Sequence, residues 1–136
     1  MATLQYGVAS RNAQLDAHET AVGTSPKLRF YTGSLPANCA ASATGTLVDE
    51  ITCPSDWMSA ASAGVKALLG SWTAAASAAG TIGYYRIYDS GGTVCHEQGD
   101  VSTTLAGTGA MLLDNTNITA GQVVTITAKT LTGGNA

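Results

Sequence analysis

A run of β-branched and aromatic residues, Thr81 to Tyr88, ends in Asp89-Ser90-Gly91-Gly92 and resumes as Thr93 to Gln98. Such side chains fit a pleated, half-buried surface. Paired glycines supply the positive φ that a tight reversal needs. The stretch predicts a β-hairpin and commits the middle of the chain to sheet. Strand signals flank it on both sides. Lys27 to Tyr31 alternates with Leu28 and Phe30 inward, and Thr46 to Thr52 points Leu47 and Ile51 to one side. Val65 to Trp72 and Ala110 to Leu113 read as further strands. Gln122 to Leu131 places Val124, Ile126 and Ala128 on one face, with Val123, Thr125, Thr127 and Lys129 on the other.

One helix is expected before these strands, over about residues 6–22. Leu4, Val8, Leu15 and Val22 recur at helical spacing, while Ala9, Ala13, Ala17 and Ala21 make a small-residue stripe. Gly23 stops the helix and Pro26 blocks its continuation. Arg11, Asn12, Asp16 and Glu19 are expected on the wet side. Ser55 or Asp56 could cap a short helical turn running to Ala63. Thr73 to Gly80 is a loop or a weakly specified turn of helix, and Gly133 to Ala136 a flexible tail. About seven or eight short strands behind one helix predict a mainly β chain: a single antiparallel β-sandwich domain over residues 1–136, jelly roll-like.

Only 11% of the residues are charged, where a solvated globular domain carries about 25%. A surface so poor in charge resists association badly, which suits a chain covered by neighbours. The six basic residues, Arg11, Lys27, Arg29, Lys66, Arg86 and Lys129, are scattered, so no phosphate-binding cluster is expected and no direct nucleic-acid partner. No apolar run nears the ~18 residues of a membrane span. The opening Met1 to Tyr6 does not read as a signal peptide, so synthesis in a cytoplasm is expected.

Three cysteines, Cys39, Cys53 and Cys95, are too few and too far apart for a disulfide framework and are expected as passive free thiols. Cys95-His96-Glu97 places three potential ligands in a row, but alternation sends His96 away from the other two unless a bulge intervenes. His18, on the helix, has no ligand-spaced companion. No nucleophile elbow, phosphate loop or paired carboxylates occur, so no enzyme, metal or cofactor is expected. Tyr84, Arg86 and Tyr88 share one face of the central strand. Aromatics beside an arginine are favoured at interface centres, so this face and the Ala13, Ala17 stripe are the candidate contact surfaces.

The segments Ser10 to Ala17, Ser25 to Gly33, Tyr84 to Asp89 and Leu113 to Ile118 carry a resemblance that extends over the whole chain. The chain resembles small structural proteins encoded in tailed-phage and prophage genomes, and among them the capsid cement (decoration) proteins of short-tailed Bordetella phages. The resemblance implies a jelly roll, a homodimer, and a place on the outside of the virion capsid, clamping neighbouring major capsid proteins. It brings no catalytic residues. The alternative within the same group is a tail, neck or fibre-associated module with receptor or glycan binding.

Overall fold

The computed structural model describes residues 3–136. Helix α1 (Val8–Val22) is followed by β1 (Lys27–Thr32), β2 (Leu47–Thr52), β3 (Val65–Ala67), β4 (Gly80–Tyr88), β5 (Cys95–Thr103), β6 (Met111–Leu113), β7 (Asn117–Ile118) and β8 (Ile126–Thr132). The strands form one sheet in the order β2-β1-β4-β5-β6-β8-β3, with β7 pairing β4 off that path. The described residues are mainly β with a single helix.

The expected hairpin is there as β4 and β5. Pairing is antiparallel throughout except between β5 and β6, which run parallel, so the sheet is mixed where an antiparallel one was expected. The loop 104–110 makes this possible by folding back onto β5. Ser102 Oγ accepts the amides of Thr108 and Gly109. A Cβ on Gly109 would stand 2.4 Å from the Ser102 nitrogen, so only glycine fits there.

Leu28 and Phe30 of β1, Ile51 of β2, Ile87 of β4 and Met111 and Leu113 of β6 meet in one core with Trp57, Trp72 and Val124. Strands far apart along the sheet thus share a single core, as a sheet curling over itself requires. Such an arrangement is compatible with a two-layered jelly roll. Each of these large apolar side chains contributes about 1.5–3 kcal/mol by leaving water.

The helical turn expected from Ser55 to Ala63 does not form. Trp57 and Met58 are adjacent and both fully buried, which an extended path allows. Met58 instead bridges Leu68, and Trp57 Nε1 donates to the Gly23 carbonyl. The strand expected over 65–72 is cut to three residues, and Gly70 turns the chain with a φ of +77°.

Helix α1 docks by an unexpected face. Leu15 and Val22 are buried, but Val8 is 48% exposed and Leu4 lies outside the helix at 59%. Residues assigned to the wet side also hold the helix down, Asp16 while staying exposed. Asn12 Oδ1 accepts the Gly64 amide, Asp16 Oδ1 accepts the Ala61 amide, and Asp16 and Glu19 both pair with the buried ammonium of Lys66. Ala9, Ala13, Ala17 and Ala21 remain in solvent.

Candidate functional site

Two side-chain clusters lie on opposite faces of the β1–β4–β5 region. The first contains the predicted contact residues. Tyr84, Arg86 and Tyr88 project from β4 together with Arg29 and Tyr31 of β1. Their face was expected to be exposed; it is covered by the chain itself. Tyr84 is 0%, Arg86 2% and Tyr88 8% exposed. The cover is the loop 33–45.

Arg86 donates to the carbonyls of Asn38 and Ala41, and Gln98 donates to the carbonyl of Pro36. The Tyr84 hydroxyl donates to the Thr44 carbonyl and accepts the Thr44 amide. Tyr31 stacks on Tyr84 at 5.1 Å, and the Arg29 guanidinium lies 4.5 Å from the Tyr88 ring centre. A loop without regular secondary structure leaves backbone carbonyls to satisfy. An arginine with a fork of donors beneath it does so. Tyr84, Arg86 and Tyr88 are therefore internal mortar; Ala13 and Ala17 alone among the predicted contact residues stay exposed.

The second cluster sits in a cleft of about 410 Å³ lined by Leu15, His18, Tyr85, Glu97, Ala110 and Leu131, among others. At its floor the Glu97 carboxylate meets three groups. Lys129 Nζ lies at 2.6 Å, the Tyr85 hydroxyl donates at 2.5 Å, and His18 Nε2 lies 2.9 Å away. Lys129 also donates to the Tyr85 oxygen. One carboxylate thereby joins α1, β4, β5 and β8.

Sequence periodicity placed Lys129 outside, beside Thr127, and Glu97 beside Cys95. Two bulges overturn this. Ile87 pairs with Glu97 and Tyr88 with Cys95, which leaves His96 as the extra residue. Leu113 pairs with Ile126 and Leu112 with Ala128, which leaves Thr127 unpaired. Each bulge shifts the alternation by one residue. Glu97 and Lys129 are thereby brought into the cleft, while Cys95 is sent to the opposite face.

Burial alone would raise the Glu97 pKa. The hydrogen bond from His18, the charge of Lys129 and the Tyr85 hydroxyl outweigh it and hold the carboxyl at about 2. Burial, with Glu97 beside it, pushes the Tyr85 phenol far up. A general acid or base works best with a pKa near the working pH, and neither group meets that condition. The arrangement binds elements together and offers no poised carboxylate or phenol.

Among the described residues, no three His, Cys, Asp or Glu side chains converge as a metal set. Nor, among those residues, is any helix long and apolar enough to cross a membrane.

The signal that could have revealed the second cluster is Lys129, set between Ala128 and Thr130 near the end of a strand-like run. A lysine inside an apolar strand needs a carboxylate partner if the strand is central. Comparison with protein families, with curated proteins and with solved structures found no match for this chain.

Proposed function

We propose that the protein is a non-catalytic structural component of a phage particle, a capsid cement protein that binds the outer surface of the shell and bridges neighbouring major capsid proteins. The observation that carries this reading is how the chain disposes of its charge. Five of the six basic side chains bond to partners within the chain; Arg11 is packed in, but its buried Nε has no partner. Arg29 pairs with Glu50, Lys66 with Asp16 and Glu19, Lys129 with Glu97, and Arg86 with loop carbonyls. Lys27 donates to Thr52, and Arg11 packs against Gly64 and Gly133.

What faces outward is rich in Ser, Thr and Ala, with scattered aliphatics and isolated carboxylates such as Asp56, Asp100 and Asp114. Leu105 is 98%, Val94 51% and Val123 51% exposed. The total accessible area of 6721 Å² matches the roughly 6,600 Å² of a compact chain of this mass, so these aliphatics are not the product of loose packing. A neighbour can cover much of such a surface while burying few unpaired charges, which are the main cost of a polar interface.

The resemblance carried by Ser10 to Ala17, Ser25 to Gly33, Tyr84 to Asp89 and Leu113 to Ile118 supports the same reading. A homodimer through the open Ala13, Ala17 face of α1 belongs to it, two-fold closure being the commonest symmetry. Repeated over a shell, modest contacts act with avidity.

Copy number in purified virions tests the proposal. Quantitative gel densitometry should find this chain in numbers comparable to the major capsid protein. A small fraction of that number would overturn the reading in favour of a tail, neck or fibre component.

A further inference from the structure

We propose that Cys39 and Cys95 are a redox pair that closes into an intramolecular disulfide, fastening the loop 33–45 onto the β1–β4–β5 face. Cys39 sits in that loop and Cys95 begins β5. Both are free thiols in this structure, yet their Sγ atoms stand only 2.6 Å apart, and both residues are half-buried. Two independent features bring them together. The bulge at His96 turns Cys95 to the loop side, away from the face taken by Glu97. The bonds from Arg86 to Asn38 and Ala41, and from Gln98 to Pro36, fix the loop on either side of Cys39 without any help from sulfur. The loop is thus held beside Cys95 by bonds that do not involve sulfur. Cys53 makes the contrast: it is 2% exposed, and burial pushes its thiol up to about 12, so it stays out of the reaction.

The chemistry is exchange with a small-molecule disulfide. Cys39 lies in the surface loop between the exposed Asn38 and Ala40, where an external disulfide can reach it, so the first attack comes from Cys39. Its thiolate attacks the external disulfide, forms a mixed disulfide and expels one small thiolate. Cys95 then attacks the Cys39 sulfur and expels the second. The two protein thiol protons leave on the two small thiols. The protein loses two electrons and the external disulfide gains them. The product links positions 56 apart in sequence. A crosslink over so long a loop removes much of the unfolded chain's freedom. The effect is a covalent clamp over Tyr84, Arg86 and Tyr88, which appears when the chain leaves a reducing medium. It stands whether or not the capsid reading does.

The full chain, purified with reductant and transferred into oxidised glutathione, gives the test. After alkylation, non-reducing peptide mapping should show a Cys39–Cys95 linked peptide, with Cys53 alkylated only after unfolding. The melting temperature should rise by about 10 °C and fall back on reduction. Cys53→Ser should keep the shift. Cys95→Ser and Cys39→Ser should each abolish it, the latter lying in a surface loop where folding is undisturbed. Glutathione adducts on both cysteines without a link, a link between two chains, or a linked peptide with no change in melting would each overturn the proposal.

Discussion

Two carboxylates show how burial sets opposite stabilities. Asp49 is 1% exposed on β2, opposite Phe30, and its Oδ2 has no partner. Burial raises its pKa to about 6, with the Glu50 amide pulling the other way. A folded value above the unfolded value of about 3.9 means that ionising Asp49 destabilises the fold. That cost is absent below about pH 4 and grows as pH rises through 6. Asp49→Asn is expected to stabilise the protein by about 2 kcal/mol at pH 7.5 in urea unfolding, with the gain vanishing near pH 4.

Glu97 has the reverse sign. Its folded value of about 2 lies below the unfolded value of about 4.3. Its contribution is therefore complete above pH 4.3 and lost as pH falls toward 2. Glu97→Gln leaves the Lys129 ammonium, 3% exposed as a residue, without its counter-charge. A loss of about 3–5 kcal/mol follows, and Glu97→Gln combined with Lys129→Met should recover much of it. Urea midpoints of the two variants check the pair. No recovery in the double variant would mean that the carboxylate acts mainly through His18 and Tyr85.

At the scale of elements, the loop 33–45 and helix α1 are both held by polar contacts to the sheet. The crossing of the loop over β4 depends on Gly83, where a Cβ would stand 1.9 Å from the Gly33 carbonyl oxygen. Gly83→Val should lift the loop, and subtilisin should then cut between residues 33 and 45 under conditions that leave the natural chain whole. Helix α1 leaves Ala13 and Ala17 free, so Ala13→Glu with Ala17→Glu should convert a dimer to a monomer in sedimentation while circular dichroism stays unchanged. An unchanged oligomer would move the interface elsewhere.

The strands themselves were largely legible. β1, β2, β4 and the start of β5 follow β-branched and aromatic alternation bounded by Gly and Asp turns. The cleft was not legible, because alternation assigns faces only while the register holds. The unpaired His96 and Thr127 leave no mark in hydrophobic periodicity, yet they decide where Cys95, Glu97 and Lys129 point. The helix misled for a related reason. Its docking partner is the buried Lys66, so Glu19 and, from the solvent edge, Asp16 mark the docked side and alanine the open one.

Across the whole molecule, most basic groups are held by partners within the chain, and the outer surface is rich in small neutral residues with isolated carboxylates such as Asp56, Asp100 and Asp114. A chain built this way gains from being covered, since contact area removes little hydration from charge. A shell under internal pressure from packaged DNA fails at the joints between its subunits, and a protein bridging those joints adds buried area on both sides. The most direct test is heat resistance of particles with and without this protein, read as DNA release on a temperature ramp. The account predicts that particles lacking it still assemble but release DNA at a lower temperature, and that adding the purified protein back restores resistance. Particles that lack it, keep full heat resistance and lose only attachment to the host would contradict the account.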